Sequence, residues 1–178
     1  YSHTHNVGAP MFKKKSPVPT TAEYQAAWTA ACAPHVSEPI ITVALLNPAG
    51  AVAGLAAAAA GSTLGGMTGR LIATKIAEVQ VNGTADRPVP PVLAAVLTAS
   101  AVHLLEVEAV STDADELKVI GPFETWAREG LRLEVTRKFM SERLTFSIPG
   151  GRRMELDGMF APRCKERLYQ PLIDQLAA

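Results

Sequence analysis

Cysteine, aromatic residues and charge imbalance are all scarce in this chain. Its 178 residues include two cysteines, Cys32 and Cys164, far apart and in no CxxC pair. That pattern implies no disulfide framework and fits a reduced, cytoplasmic compartment. Each falls on the apolar stripe of an expected helix, where a thiol serves as a small buried hydrophobe. Lys plus Arg and Asp plus Glu both number 17, so the formal net charge is zero. A neutral chain lacks the electrostatic footprint of a duplex binder. An aromatic content of 6% leaves too few rings for a single-strand stacking platform. No nucleic-acid partner is expected.

Catalytic signatures are missing as well. The segment GSTLGGMTGR lacks the GK[ST] ending of a P-loop, and no strand clearly precedes a GxGxxG. Its glycines could offer amides to a phosphate, but helix-packing spacing explains them equally. No GxSxG elbow occurs. His35 follows a proline in a turn and His103 stands alone in a strand. His3 and His5 belong to a terminus foreign in composition to the rest. Asp113, Asp115 and Glu116 resemble half a calcium loop without its glycine and distal glutamate. No catalytic residue, metal ligand or cofactor is assigned.

What is present is a chain with 48% hydrophobic and 19% charged residues, enough to bury a core and too apolar for wholesale disorder. Residues 1–19 are expected to be a flexible terminus, in which Met11 reads like a native start and residues 1–10 like either an added remnant or part of an upstream region. Lys13 to Lys15 are followed by prolines and no apolar run, so no signal peptide is expected. Residues 20–47 read as an amphipathic helix and a strand. Thr20 and Glu23 have capping-box spacing. Tyr24, Ala27, Trp28, Ala31 and Cys32 share one face, and Pro34 ends the helix.

Residues 48–81 form a Gly/Ala-rich insertion. No charge occurs between Glu38 and Arg70. Gly50 and Gly54, then Gly61, Gly65 and Gly69, recur every four residues and make a ridge of small side chains on a helix. Such ridges allow close helix approach. The length suits a membrane span, but Ala and Gly gain little on leaving water. The leading expectation is an insertion ordered by packing on its own domain or on a second copy. A transmembrane span and a low-complexity loop are the alternatives.

Residues 82–91 read as a linker rich in proline. From Val92 the pattern turns to β. VLAAVLT and AVHLLEV flank Ala99-Ser100 as a tight hairpin. Leu131, Leu133 and Val135 alternate with Arg132, Glu134 and Thr136. Leu144, Phe146 and Ile148 alternate likewise, as do Met154 and Leu156. A last helix over about 160–176 carries Phe160, Cys164, Leu168, Leu172 and Leu176 on one stripe, with Pro171 expected to kink or split it near Arg167. The fold class is α+β.

LTASAVHLLEV, the GPFETW segment, LRLEV, RLTFSIPGG and RRMELDGM, followed by a helix, resemble bacterial pleckstrin-homology-like domains. The chain is also similar to small actinobacterial proteins with an N-terminal helix before such a domain. The resemblance spans residues 92–178 and, more loosely, 20–46. It implies a strongly bent antiparallel sheet of six or seven strands closed by the C-terminal helix.

Three binding candidates follow. The small-residue ridge would mediate self-association or docking to a protein partner or membrane. Arg137, Lys138, Arg143, Arg152 and Arg153 form a candidate patch for an anionic ligand, since pleckstrin-homology folds can bind acidic lipid headgroups through basic strand loops. Interleaved Glu134, Glu142 and Glu155 also suit plain charge pairing on a solvated face. Phe123 and Trp126 could line a partner groove or belong to the core. The expected function is a non-enzymatic interaction or scaffold protein. A peripheral lipid-binding module is the alternative, and a small enzyme without a recognisable motif comes third.

Overall fold

The computed structural model describes residues 19–50, 89–110, 116–138, 141–158 and 167–177. Helix α1 spans Thr21–Cys32. Its Thr20 hydroxyl accepts from the Glu23 N–H, and the Glu23 carboxylate accepts from the Thr20 N–H at 2.7 Å, a complete capping box. A 3-10 turn over Ala33–His35 then carries Pro34 at its start, where a missing N–H costs nothing.

Seven strands follow: β1 Thr42–Pro48, β2 Leu93–Leu97, β3 Ala101–Ala109, β4 Leu117–Ala127, β5 Arg132–Arg137, β6 Glu142–Ile148 and β7 Arg152–Gly158. Helix α2 spans Gln170–Ala177. The strands form one antiparallel sheet in the order β4-β3-β2-β1-β7-β6-β5. The class is α+β. The central strand is β1, so the N-terminal segment belongs to the same body as residues 92–177. The expected boundary at residue 92 divides the text but not the fold.

Side chains alternate between two covered faces. On one, Leu46, Leu93, Leu104, Trp126, Phe146 and Leu156 pack with Tyr169 and Leu172 from the α2 segment. On the other, Val43, Leu45, Val96 and Val107 pack with Tyr24, Trp28 and Cys32 of α1. Leu168 joins the second cluster while Tyr169 joins the first. The expected stripe therefore divides between Leu168 and Leu172, its members Phe160 and Cys164 lie outside the described residues, and the described helix begins at Gln170. Pro171 sits in its first turn, where proline is tolerated; whether a helical stretch precedes Arg167, as a split would require, falls on residues 159–166, outside the described residues.

The α1 face is covered only over β1 to β4. Across β5, β6 and β7 the same face carries Arg132, Glu134, Arg143, Arg153 and Glu155, which lie exposed or half-buried. Strand β4 skips two residues in its pairing with β3, Phe123 opposite the Leu104/Leu105 step and Ile120 opposite Glu106/Val107. These are bulges. They bring Phe123 and Trp126, three residues apart, against the same core.

Two contacts span the sheet. The rings of Trp126 on β4 and Phe146 on β6 lie 5.1 Å apart at 46°. Arg152 on β7 forms an ion pair with Glu124 on β4. The chain also passes from β4 to β5, the two outermost strands, through residues 128–131 alone. Leu131, Leu133 and Val135 share a face as expected, yet the first two are half-buried and Val135 is 40% exposed, because β5 is an edge.

Candidate interaction surfaces

The Gly/Ala-rich segment enters and leaves the sheet at one point. Strands β1 and β2 are antiparallel neighbours with Leu46 opposite Leu93, a relationship that a hairpin of a few residues could supply. Residues 49–92 make the connection instead. Asn47 is 6% exposed and donates from Nδ2 to the Pro91 carbonyl at 2.8 Å, which ties the two ends together. Asp157, 1% exposed on β7, accepts from the Gly50 N–H at 2.6 Å with one oxygen and from Arg143 Nε at 3.0 Å with the other. A buried carboxylate is tolerated because both oxygens are held. Gly50 has φ +87°, a left-handed conformation suited to glycine. Of the ridge, only Gly50 is described; Gly54, Gly61, Gly65 and Gly69 lie outside the described residues.

The five basic residues do not converge. Arg152 and Arg153 are consecutive in a strand and point to opposite faces. Arg152 lies on the core face with Ile148 and pairs with Glu124. Arg153 lies on the outer face, 3.8 Å from Glu134 and 4.0 Å from Glu155. Arg143 is tied to Asp157 and, at 3.4 Å, to Glu155. Arg137 and Lys138 are exposed at the β5–β6 turn, with no ion pair among the described residues. The reason is periodicity: residues one apart in a strand cannot share a surface.

Trp126 is 2% exposed and packed at a tilt against Phe146, which removes it from any surface groove. Phe123 is half-buried against the same core. His35 is exposed, and His103 Nδ1 lies 3.2 Å from Thr125 Oγ1. Among the described residues, no three His, Cys, Asp or Glu side chains lie close enough to hold a metal ion. No described helix is long and apolar enough to cross a membrane.

Two further features had no sequence signal. Gln25 of α1 acts as a substitute strand. Its amide donates to the Val43 carbonyl at 2.7 Å and accepts from the Val43 N–H at 3.1 Å. It also accepts from Thr42 Oγ1 and donates to the Leu168 carbonyl. That side of β1 pairs with β7 only over Leu46–Pro48, so Gln25 completes the ladder where β7 has ended. Beside it lies an open groove of about 500 Å³ between α1 and α2, lined in part by Ala30, Ile41, Pro171 and Gln175. The second feature is Glu142, 7% exposed on β6, which accepts from Tyr169 Oη at 3.3 Å and pairs with Arg167 at 2.9 Å. Burial, then the Glu142 charge, pushes the Tyr169 phenol well above its ordinary value. Burial pushes the Cys32 thiol up to about 11. Both groups stay protonated at neutral pH, unlike an activated nucleophile.

Comparison with known proteins found no matching family model, no similar curated protein and no similar solved structure.

Proposed function

We propose that this protein is a non-catalytic interaction module in which a pleckstrin-homology-like body displays residues 51–88 for self-association or partner docking. The sheet is proposed to curl so that its two meanders share one core, with α2 across an open end. The Trp126–Phe146 contact and the short β4–β5 link support that curl. The observation that carries the functional reading is the fastening of the insertion's two ends, Asn47 to Pro91 and Gly50 to Asp157, on adjacent strands. A body that closes beneath an insertion does not need it for its own sheet, and long connections of this kind are commonly functional.

The lipid-headgroup alternative rests on Arg137 and Lys138, since Arg143 and Arg152 are engaged with carboxylates. An enzyme remains the third reading, without a residue set to carry it.

The test replaces residues 51–88 with a short Gly-Ser linker. The β signal in circular dichroism should persist, and the mass by light scattering, or capture of a partner, should fall. Persistence of both mass and binding would remove the insertion from the function. Sedimentation of the intact chain with anionic but not neutral vesicles, weakened by Arg137→Ala with Lys138→Ala, would favour the lipid reading instead.

A further inference from the structure

Strand β5 ends the sheet, and no described strand pairs with its outer side. Its pairing with β6 is regular from Arg132–Ser147 to Arg137–Glu142. The Lys138 N–H donates to the Ser141 carbonyl at 2.8 Å, which makes that pair hydrogen-bonded. Bonded and non-bonded pairs alternate along an antiparallel ladder. Arg132, Glu134 and Thr136 therefore turn their amides toward β6. Leu133, Val135 and Arg137 turn theirs to the open side.

The two sheet edges differ. Strand β4 carries devices that discourage strand addition: Pro122, an exposed Lys118 and two bulges. Strand β5 has no proline and no bulge. Beside its open amides stand a half-buried Leu133 and a Val135 that is 40% exposed. Around them Arg132, Arg137 and Lys138 are exposed, with no ion pair among the described residues, whereas Glu134 faces Arg153.

We propose that the β5 edge binds an extended acidic peptide segment by antiparallel strand addition. Backbone bonds to Leu133, Val135 and Arg137 supply affinity, and aliphatic side chains pack beside Val135. Acidic side chains meet Arg132 and Lys138 on the opposite face, with Arg137 at the end of the strand. Charge selects the occupant. A second copy paired antiparallel about Val135 would set Arg132 against Lys138, like charge opposite like charge, which is destabilising.

The probe is a fluorescein-labelled peptide of alternating Val and Glu, titrated with the full chain and read by fluorescence anisotropy. Saturable, salt-sensitive binding is expected, and the Val/Lys counterpart should not bind. Val135→Pro removes an outward N–H and no bond to β6. It should weaken binding by about tenfold or more, the value of one or two backbone bonds. Arg132→Ala and Lys138→Ala should each weaken it by about two- to fivefold, as exposed ion pairs do. A Val/Glu peptide N-methylated on alternate residues, tested on the unaltered chain, should lose binding without disturbing the protein. Equal binding of the Val/Lys or N-methylated peptide, or no saturable binding, overturns the proposal. So does a chain whose mass falls on Val135→Pro without peptide, because the edge would then be a self-association surface.

Discussion

The indole of Trp126 and the ring of Phe146 lie 5.1 Å apart, although four strands separate β4 from β6 in the order of the sheet. Laid flat, five strand intervals of about 4.8 Å would part them by about 24 Å. The proposed curl accounts for this contact and for the Arg152–Glu124 pair together. It predicts strong coupling. Trp126→Ala and Phe146→Ala should each cost about 3–5 kcal/mol, as large aromatic truncations in a core do. A double-mutant cycle in urea should return about 0.5–1.5 kcal/mol for the ring pair. Additive effects would mean the rings do not meet.

Gly158 closes β7 directly beneath Tyr169. A Cβ on Gly158 would lie 2.6 Å from Tyr169 Cζ, inside any allowed contact. Gly158→Ala must therefore move the ring away from Glu142. The expected loss is about 1–3 kcal/mol, the range for overpacking, measured by thermal or urea unfolding. A neutral effect would show that Tyr169 is not seated there.

Gln25→Ala should leave both the N–H and the carbonyl of Val43 without their partner. The expected cost is about 1–3 kcal/mol, the desolvation of unsatisfied backbone groups. Hydrogen exchange at the Val43 amide should accelerate more than at Val96 across the ladder. Equal acceleration at both would indicate global loosening instead.

Stability should fall at both ends of the pH scale, for opposite reasons. Hydrogen bonds from the Thr20 backbone and hydroxyl hold Glu23 below its ordinary 4.5. Bonds to Glu38 from the Ser100 and then the Thr98 side chains do the same there. A lowered folded value gives stability that is present above about pH 4.5 and lost as pH falls through the folded value. Ser100→Ala should flatten the acid limb of a stability profile. Cys32 and Tyr169 are shifted upward, so the unfolded chain ionises first. Stability should decline from pH 9.0, the ordinary thiol value, toward about 11. In a Cys164→Ala background, the native chain should resist thiol reagents at pH 8 until denaturant is added; rapid native labelling would place Cys32 at the surface.

Local features of this fold were legible in the sequence. The Thr20/Glu23 box, the hairpin around Ala99-Ser100 and the alternation in β6 and β7 each depend on neighbours a few residues away. Relations set by distant pairing were not legible. Nothing near IITVALL announces that β1 will be central, because its partners are Leu93–Leu97 and Leu156–Gly158. Arg152 and Arg153 read as one patch until the strand turned one of them toward the core. The end of β5 looked buried by alternation, yet alternation assigns a face and not a neighbour to cover it. Asp157 carries no signal in the sequence, because its role depends on Gly50 and Arg143 beside it.

The account depends on a body that holds its core without residues 51–88. Its most direct test is a two-dimensional NOE spectrum of the chain carrying the Gly-Ser linker in place of that segment. Cross-peaks between the Trp126 indole and the Phe146 ring are predicted to remain, with dispersed β-sheet amides. A collapsed amide spectrum without those cross-peaks would contradict the account.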